Sequence, residues 1–457
     1  MVETAESGGI GEMGNGKRRM ETGVRKMDLN QWLERFSQPK LLFVASLLLH
    51  VIAVLAVGHY RHPMTWENGG ITDYLLVGKG FAHDFSRTAE PTSWQAPGYP
   101  YLLYWMGTLF GKTPLAYLFI SLGQAVVVAS MVFPLSWLVA RWFGEETARW
   151  ARLIVCVMPL LYWYPTRIHH TAIVMAFHPW LLWGWLTLAE NPTGGWRAVL
   201  TGLGTGLAGL FQPVLLAVFG LLSGVLLLNA LRKRLNAQVA WIFGAGLLTL
   251  LVLTPWTIRN QQVHGRLLLV KNSFGKEFWM GNNPHATGTA FVEGGGEEVT
   301  NQYPPKAFEL RGKVSEMELM QAMQDEAMEY VRAEPVAFVQ RTLKKMLWLW
   351  TMPPARYLRS SGEAEALTMR WLHIGYWAVF LVFTTVALWG PKPWPFEYKG
   401  VLGLYCVIYS LVYGLTHVGQ ARFRGEIEFV FVPAVALGWA ACWQCWQKKR
   451  RIAAEKR

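Results

Sequence analysis

Two aspartates in one polar segment are the first candidates for chemistry in this sequence. The segment runs from Arg61 to Pro100 between strongly apolar stretches, and it contains Asp73 and Asp84. A carboxylate is costly to hold near hydrocarbon, so at a membrane surface it usually serves a partner or a reaction. Asp73 also has a purely structural interpretation as the cap of a short helix over Tyr74–Phe81, since aspartate often precedes an apolar helix. Spacing alone leaves both interpretations open.

Cations, imidazoles and amides occur in segments that we expect on the same side of the membrane as Asp73. They are Arg167, Arg259, Arg422, Arg424, Lys271, Lys276, His169, His170, His264, Asn260, Asn282 and Asn283. A carboxylate that faces several cations suits transfer from a phosphate-linked donor. The carboxylate takes the proton of the attacking hydroxyl, and the cations stabilise charge on the departing phosphate. Some of these residues also have a structural interpretation. Arg167 can pair with lipid headgroups, and Asn282-Asn283-Pro284 is typical of a turn.

The composition indicates a membrane protein with many helical spans. The chain has 457 residues, of which 52% are hydrophobic and 16% charged, and it contains 24 tryptophans. Many apolar runs approach the length that crosses a bilayer. Most basic clusters adjoin apolar runs, where the positive-inside bias places them, so the net charge of +13 does not indicate nucleic-acid binding. The chain lacks G-x-x-x-x-G-K-[ST], a G-x-G-x-x-G before a helix and H-E-x-x-H, which disfavours ATP-driven, nicotinamide and zinc-protease functions.

The cysteines and histidines predict neither disulfides nor a metal centre. All four cysteines lie in or at the end of apolar segments, and the pair Cys442-x-x-Cys445 lies in the last predicted span. The adjacent His169 and His170 diverge by about 100° on a helix, which is unfavourable for shared metal ligation. We therefore predict no metal-binding residues, and we leave a divalent cation open as a cofactor.

The apolar runs and their basic flanks predict an all-α polytopic fold of about ten transmembrane helices, with both termini in the cytoplasm. The predicted spans are about Leu41–His59, Leu115–Val139, Leu153–Tyr164, Thr171–Leu188, two within 197–231, Val239–Thr254, Trp371–Trp389, Val401–Leu415 and Ile427–Trp446.

Five regions follow from this layout. They are a disordered or amphipathic cytoplasmic tail (1–40), a transmembrane module (41–254) whose first outer loop (60–100) holds Asp73, a mostly polar outer segment (255–370), the C-terminal spans (371–447) and a basic cytoplasmic tail (448–457). The outer segment is expected to form a cap of amphipathic helices with mixed loops, over about 315–333 and 335–350.

Four stretches resemble the GT-C superfamily of integral-membrane glycosyltransferases. The resemblance is to the branch of the protein O-mannosyltransferases and the lipid A aminoarabinose transferase. The stretches are Gly70–Tyr74 with Trp94–Pro100, Pro159–Thr171, Thr254–Asn260 with Phe278–Pro284, and Arg422–Arg424. The T-P-W-x-x-R-N pattern followed by G-N-N-P is the most specific of them.

The resemblance implies an inverting transfer of a hexosyl or pentosyl group from a polyprenyl-phosphate donor to a lipid, glycan or protein acceptor. The transfer would take place at the periplasmic face of a bacterial inner membrane. Asp73 would be the base, and Arg259, Arg422 and Arg424 would bind the donor phosphate. Further substrate-binding candidates are Tyr74, Asp84, Trp94, His170, Asn260, Lys276, Asn282 and Asn283.

One departure and two alternatives accompany this hypothesis. The family often has an acidic residue at its second outer turn, where this chain reads Arg167-Ile-His-His170, and this puts metal dependence in doubt. A transporter or flippase of lipid-linked saccharides would show paired halves with broken helices, and the sequence shows no convincing repeat. A non-catalytic membrane partner in envelope assembly is the second alternative.

Overall fold

The computed structural model is a bundle of long helices with a helical cap at one end. The structure describes residues 34–294, 297–354, 356, 363–390 and 393–455. Most of the predicted cytoplasmic tail lies outside the described residues. Within them the chain is largely helical, with one two-stranded ladder, so the predicted all-α polytopic class is confirmed.

The first helix of the chain has its two ends defined by a proline and a glycine. Pro39 starts it with a φ suited to the first helical position, and Gly58 ends it in the left-handed region with φ +69°. The elements of the first half of the chain are α1 (Pro39–Val57), α2 (Trp66–Leu76), β1 (Ala82–His83), β2 (Glu90–Pro91), α3 (Gly98–Phe110), α4 (Pro114–Ala129), α5 (Val132–Phe143), α6 (Glu145–Val157), α7 (Pro159–Trp163), α8 (Thr171–Glu190), α9 (Gly195–Phe211) and α10 (Val214–Arg232). The two strands pair antiparallel, with Ala82 opposite Pro91.

The second half contains most of the cap and the last spans. Its helices are α11 (Asn236–His264), α12 (Phe274–Gly281), α13 (Val299–Gln302), α14 (Glu316–Ala333), α15 (Pro335–Thr351), α16 (Glu363–Leu388), α17 (Phe396–Thr416), α18 (Ala421–Gly425) and α19 (Val432–Glu455). A capping box between Ser315 and Glu318 starts α14. The predicted basic tail after residue 447 continues α19 as helix up to Glu455.

Seven helical segments of the described chain are long and apolar enough to cross a bilayer. They are Pro39–Val57, Pro114–Phe143, Thr171–Glu190, Val214–Arg232, Asn236–His264, Phe396–Thr416 and Glu428–Glu455. A shorter apolar stretch, Ile374–Leu388, lies in α16. The protein is therefore a multi-pass integral membrane protein, and the predicted count of ten spans is not confirmed.

The predicted third span, Leu153–Tyr164, has different bounds in the structure. Helix α6 begins eight residues earlier, at Glu145, and ends at Val157, and the short α7 follows from Pro159. The guanidinium of Arg152, on α6, donates to Glu145 Oε1 at 2.6 Å and to Ser136 Oγ at 2.7 Å. The hydropathy pattern missed the first part of α6 because this part contains Glu145, Glu146, Arg149 and Arg152, although Ala148 and Ala151 are buried in the core.

The predicted seventh span also ended too early. Helix α11 has 29 residues and keeps Pro255 in its interior, so the T-P-W-x-x-R-N stretch is helical and not a loop. At 1.5 Å per residue it is about 43 Å long, against a hydrocarbon thickness of about 30 Å. One end of α11 therefore carries Arg259 and Asn260 beyond the apolar layer.

The two ends of the bundle differ, and we name them by their composition. The cap end contains residues 58–113, 265–294 and 297–354, together with 417–427 between α17 and α19. The basic end contains the connections near residues 144, 191–194 and 233–235 and the C-terminal part of α19. At the cap end, Trp94 of the first loop packs with Phe278 of α12 and Leu319 of α14 in one apolar cluster. This cluster fixes the first loop against the later cap helices.

Helices α12 and α14 approach each other closely at Gly275. A Cβ atom at this position would lie 1.9 Å from the carbonyl oxygen of Met320, so only glycine fits there. This contact places the cap-end residues that follow Gly275, including Glu277, at a defined position above the spans.

Candidate active site at the cap end

Asp73 lies in the last turn of α2, so the predicted helix over Tyr74–Phe81 and its capping by Asp73 are wrong. The chain leaves the helix earlier because Gly78 and Gly80 have positive φ. The Asp73 carboxylate lies 2.5 Å from the Lys112 ammonium, and both side chains are about half exposed. They line an open cleft between α2, α3 and α4. Asp73 is thus paired and solvated.

Tyr74 and Asp84 form a local contact in the first loop. The Tyr74 hydroxyl donates to Asp84 Oδ1 at 2.5 Å, and the Ala89 amide donates to the same oxygen at 2.7 Å. These two hydrogen bonds, the tyrosine's first, lower the pKa of Asp84. The pair stabilises the turn between β1 and β2, which contains Ala89 at φ +52°.

Arg259 holds the first loop onto α11. Its guanidinium donates to the carbonyl of Phe81 at 2.9 Å, to the carbonyl of Thr92 at 2.7 Å and to Ser93 Oγ at 3.0 Å. It also lies over the Trp256 ring, 4.8 Å from its centroid. These contacts occupy much of the guanidinium that the resemblance assigns to the donor phosphate.

Asn260 and Glu316 complete this junction from two sides. Ser93 Oγ donates to Asn260 Oδ1 at 2.7 Å, and the Asn260 amide donates to the carbonyls of Leu268 and Val270 at 3.1 Å. The Glu316 carboxyl accepts from the Ser93 amide at 3.0 Å and from the Thr92 hydroxyl. Burial raises the pKa of Glu316 to about 7 despite these two hydrogen bonds. Asn260 is fully buried, and it acts here as part of the scaffold.

Trp94 and Lys276 are in contact at the cap end. The Lys276 ammonium lies 4.4 Å from the centroid of the Trp94 ring, which is a cation–π contact. The Phe85 ring also packs against the Trp94 ring, with 4.5 Å between the two ring centroids. The indole of Trp94 is 4% exposed, so only the lysine side of this pair is open to a ligand.

Asn282 and Asn283 end α12 and are almost fully buried. The Asn282 amide donates to the carbonyls of Phe278 at 3.0 Å and of Leu415 at 3.2 Å. The Asn283 amide donates to the carbonyl of Trp279 at 2.9 Å. Their side chains satisfy carbonyls at the helix end, so the G-N-N-P motif ties α12 to α17.

Lys345 is a buried cation that the sequence reasoning did not assign to the site. Its ammonium donates to Asn282 Oδ1 at 3.1 Å, and the side chain has no solvent exposure. Burial, followed by the nearby Arg341, lowers the pKa of Lys345 to about 7. The signal for it was its position on the buried face of the amphipathic α15.

Arg424 is a structural residue and does not face an open surface. Its side chain is fully buried, Nε donates to Glu428 Oε1 at 3.0 Å, and a terminal nitrogen donates to the carbonyl of Trp350. The guanidinium also lies over the Trp377 ring at 4.4 Å. The geometry therefore does not present Arg424 to the donor phosphate, contrary to the expectation from the sequence.

Arg422, only two residues earlier, is half-buried and faces a group of titratable side chains. We call this group the charged cluster and define it as Lys271, Glu277, His417, Arg422 and Glu426. Its members come from the segment after α11, from α12, from the end of α17 and from α18. Arg422 and Lys271 both act on the pKa values of Glu277, His417 and Glu426, so the five groups lie within electrostatic reach of one another.

The two carboxyl groups of the charged cluster differ in protonation. Burial by itself would raise the pKa of Glu277, but His417, Lys276, Lys271 and Arg422 outweigh it, and the pKa is lowered. Burial raises the pKa of Glu426 to about 8, although Arg422, Tyr409 and Lys271 oppose this shift. One carboxylate and one carboxylic acid therefore lie in the same cluster near neutral pH. Two carboxyls whose surroundings separate their pKa values are typical of a base and an acid.

Several buried polar atoms of the charged cluster lack hydrogen bonds. His417 Nε2 lies 3.0 Å from Glu277 Oε2, which is an ion-pair distance without hydrogen-bond geometry. Among the described residues, Glu277 Oε2, His417 Nδ1 and Arg422 Nε have no hydrogen-bond partner. Buried polar atoms are nearly always paired in folded proteins, so these three are suited to a polar ligand.

His170 borders the charged cluster at the start of α8. Burial first, then Arg422 and Lys271, lower the pKa of His170 to about 3, so its imidazole is neutral. Its ring lies 4.1 Å from that of His169 and 6.1 Å from that of Tyr99.

The predicted site residues thus fall into separate surroundings. Asp73 pairs with Lys112, Arg259 fastens the first loop and Arg424 is buried against Glu428, whereas Arg422 and His170 meet at the charged cluster. The carboxyls that share a cluster with Arg422 are Glu277 and Glu426. The sequence signals for them were weak: one glutamate follows Lys276, and the other lies two residues beyond Arg424.

Metal binding gains no support from the side-chain arrangement. In the part of the chain that the structure describes, no group of three or more histidine, cysteine, aspartate or glutamate side chains could hold a metal ion. The cationic charge of the cluster comes from its own lysine and arginine.

Comparisons with known proteins give distant structural similarities. No family model and no curated protein matches the chain. ArnT from Cupriavidus metallidurans bound to undecaprenyl phosphate is 14% identical, with a TM-score of 0.39, and the match covers 88% of this chain and 77% of that chain. Its apo structure is 15% identical, with a TM-score of 0.40 and coverage of 88% and 76%.

A third similar structure is the archaeal oligosaccharyltransferase AglB from Archaeoglobus fulgidus, in complex with an inhibitory peptide and a dolichol-phosphate. It is 13% identical, with a TM-score of 0.40, and the match covers 90% of this chain and 52% of that chain. The three identities are 13–15% and the TM-scores 0.39–0.40, so these similarities carry no argument about family or activity. At these identities the function has to be argued from the residues of the site.

Proposed function

We propose that this protein transfers a sugar from a polyprenyl-phosphate donor to a lipid, glycan or protein acceptor, and that the charged cluster is its active site. The observation that carries the proposal is the convergence of Arg422 and Lys271 on a carboxylate and a carboxylic acid. The cations would bind the donor phosphate and stabilise the charge that develops when the sugar leaves. An ionised carboxylate would accept the proton of the attacking hydroxyl.

The location of the charged cluster supports a lipid-carried substrate. The cluster lies where the apolar α17 ends and α19 has not yet begun, so it stands at the level of a membrane surface. The positive-inside bias places the basic end in the cytoplasm. The cap end would then face the periplasm if the membrane is a bacterial inner membrane. A phosphate at the cluster would leave its polyprenyl chain in the adjacent hydrocarbon.

Two residues compete for the role of the base. Asp73 is the assignment from the sequence, but its carboxylate is paired with Lys112 in a solvated cleft. Glu277 is ionised, lies among the phosphate-binding candidates and has an oxygen without a hydrogen bond. We therefore favour Glu277 and keep Asp73 as the alternative. In either case, attack from the face opposite the phosphate would invert the anomeric carbon.

The test is transfer of labelled sugar from synthetic polyprenyl-phosphate sugars by the purified full-length protein. We expect Glu277→Gln to lower kcat by about 100-fold or more, the range of a lost general base, with little effect in Asp73→Asn. Asp325→Asn, an exposed carboxylate on α14, is the matched control. Nuclear magnetic resonance of the product would report inversion.

Three outcomes would change the proposal. A large loss in Asp73→Asn with full activity in Glu277→Gln would return the base to Asp73. Full activity in both variants would exclude both assignments. A wild-type protein that binds but does not consume donors of varied sugar and lipid would favour a non-catalytic partner or a transporter.

A further inference from the structure

A chain of hydrogen bonds leads from the charged cluster into the bundle. The Tyr409 hydroxyl donates to Glu426 Oε2 at 3.2 Å and lies 2.9 Å from His178 Nε2. His178 Nδ1 lies 3.3 Å from the hydroxyl of Tyr405. The four side chains are at most 2% exposed. Polar side chains inside a membrane bundle are costly and commonly functional. The transfer reaction proposed above gives these four side chains no role.

The inner part of this chain is closed by aromatic rings. His178 is stacked on Phe429 at 5.9 Å between ring centroids, and Phe219 lies at 6.2 Å. Tyr405 packs edge-on against the same Phe429 at 5.4 Å. In the part of the protein that the structure describes, this hydrogen-bond network ends at Tyr405 inside the bundle and meets the charged cluster at Glu426.

The hydrogen-bond chain fits both protonation states of Glu426. With an ionised carboxylate, the Tyr409 hydroxyl donates to Glu426, His178 Nε2 donates to Tyr409, and the Tyr405 hydroxyl donates to His178 Nδ1. With a carboxylic acid all three hydrogen bonds reverse direction. Glu426 then donates to the Tyr409 hydroxyl, the Tyr409 hydroxyl donates to His178 Nε2, and His178 Nδ1 donates to the Tyr405 hydroxyl. In the ionised state every donor of this network has an acceptor. In the acid state Glu426, Tyr409 and His178 keep an acceptor and the terminal Tyr405 hydroxyl loses its own, so protonation of Glu426 costs one buried hydrogen bond at most.

The groups that face Glu426 come from three further segments. Arg422 lies one turn before it in α18, Lys271 follows α11, Tyr409 and Tyr413 belong to α17, and Tyr164 follows α7. Burial outweighs the two cations and raises the pKa of Glu426 to about 8, so it holds a proton at neutral pH. An acid beside two cations is suited to an anionic leaving group.

We propose that Glu426 is a general acid that protonates the departing lipid phosphate, and that Tyr409 and His178 position its carboxyl. The inference rests on the proposed transferase function. In this step the bond between the anomeric carbon and the phosphate oxygen breaks, its electron pair goes to that oxygen, and the Glu426 proton follows. The attacking hydroxyl forms the new bond and gives its proton to the base. Water at the cluster returns a proton to Glu426 and takes one from the base.

The experiment measures the pH dependence of kcat for the full-length wild type and Glu426→Gln with a polyprenyl-phosphate sugar. In the wild type we expect kcat to fall above about pH 8, because the acid form disappears there. Glutamine cannot donate a proton, so Glu426→Gln should lose about 100-fold in kcat at pH 7 and show no fall near pH 8. Retention of the wild-type rate and of the fall near pH 8 in Glu426→Gln would overturn the proposal.

A second pair of variants keeps the carboxyl and covers a failure of Glu426→Gln to fold. Tyr409→Phe removes a hydrogen bond that favours the carboxylate, so the fall in kcat should move to higher pH by about half a unit or more. Tyr413→Phe is the control, since this hydroxyl bonds to Gln212 and not to Glu426. Equal pH profiles in the two variants would overturn the positioning role of Tyr409.

The outcomes for the two proposals are distinguishable. A wild type that transfers no sugar overturns the transferase function and this inference together. A wild type that transfers sugar with a kcat independent of pH between 7 and 9 overturns only the role of Glu426.

Discussion

Two ion pairs with the same spacing lie at the two ends of the bundle in opposite surroundings. At the cap end, Arg424 and Glu428 are 3.0 Å apart with side chains 0% and 1% exposed. At the basic end, Arg451 and Glu455 are 3.3 Å apart and 80% and 65% exposed. Each acid follows its arginine by four residues. The same local pattern thus produces a buried structural charge in one place and a solvated one in the other.

The difference shows where the fold keeps charge out of water. An exposed pair contributes little because solvent screens it, whereas a buried pair must be matched in detail or it destabilises the protein. At the basic end Arg141, which pairs with both Glu190 and Glu397, is 27% exposed, and the buried Arg152 pairs with Glu145, which is 57% exposed. The cap end buries both partners of the Arg424–Glu428 pair and Glu316, and it partly buries the charged cluster, which is the kind of setting in which charged groups acquire perturbed pKa values.

The largest effect is expected from breaking the buried pair. Arg424→Met leaves Glu428 without its cation, and we expect a loss of about 3–5 kcal/mol in the free energy of unfolding in detergent micelles. Arg451→Met, with the same spacing at the basic end, should change it by less than about 0.5 kcal/mol. Equal effects in the two variants would remove the proposed difference between the ends.

The pH dependence of stability tests the buried carboxyl of Glu316. Its pKa is raised to about 7 from an ordinary value of 4.5, so the folded state favours the protonated form. Its contribution to stability is complete below about pH 4.5 and is lost as the pH rises through 7, by on the order of 3 kcal/mol. Glu316→Gln should remove this dependence in unfolding measured from pH 5 to 8, and the exposed Glu329→Gln should not. An unchanged pH dependence in Glu316→Gln would contradict the raised pKa.

Arg422 provides the sharpest contrast with Arg424 because the two lie two residues apart. Arg422→Gln should lower sugar transfer by about 100-fold, the cost of losing one stabilising group in the transition state. Its unfolding free energy should change by less than about 1 kcal/mol, since Arg422 is half-buried and its Nε has no partner. Arg141→Gln at the basic end is the control for activity. A large stability loss with normal transfer would assign Arg422 to the scaffold.

The smallest effect is expected at the Asp73 cleft. Asp73 and Lys112 are about half exposed, so a double-mutant cycle with Asp73→Asn and Lys112→Gln should give a coupling of about 0.2–1 kcal/mol. A coupling of several kcal/mol would mean that the cleft excludes water, and it would favour Asp73 over Glu277 as the catalytic base.

Particular residues show what sequence reasoning could reach. The helices of the cap were anticipated closely: α14 and α15 begin and end within one residue of the predicted limits, because a capping box and Pro335 set their starts. Among the predicted site residues, Arg422 and His170 do meet at one place. Asp73 stood out in the sequence partly because aspartate is rare in this chain, but rarity in sequence carries no information about burial, and the role of Asp73 stays a prediction.

The glutamates of the site were missed for a physical reason. Glu277 directly follows Lys276 and Glu426 lies two residues after Arg424 in the sequence, a spacing that is typical of ordinary solvated charges. Their pKa values move in opposite directions only because burial and neighbours from other segments differ at the two positions. Sequence spacing does not contain that information.

The amino-acid sequence by itself determined that the chain crosses a membrane as helices and that its polar residues gather at one end, because hydrocarbon requires long apolar runs with paired backbone groups. Tertiary structure decided which of those polar residues meet. Lys271, Glu277, His417 and Glu426 are brought together by the packing of α12, α17 and α18, and Arg424 is turned away from them by one local ion pair. Charge interacts strongly only over short distances in a water-poor setting, and both the distance and the setting arise from the fold.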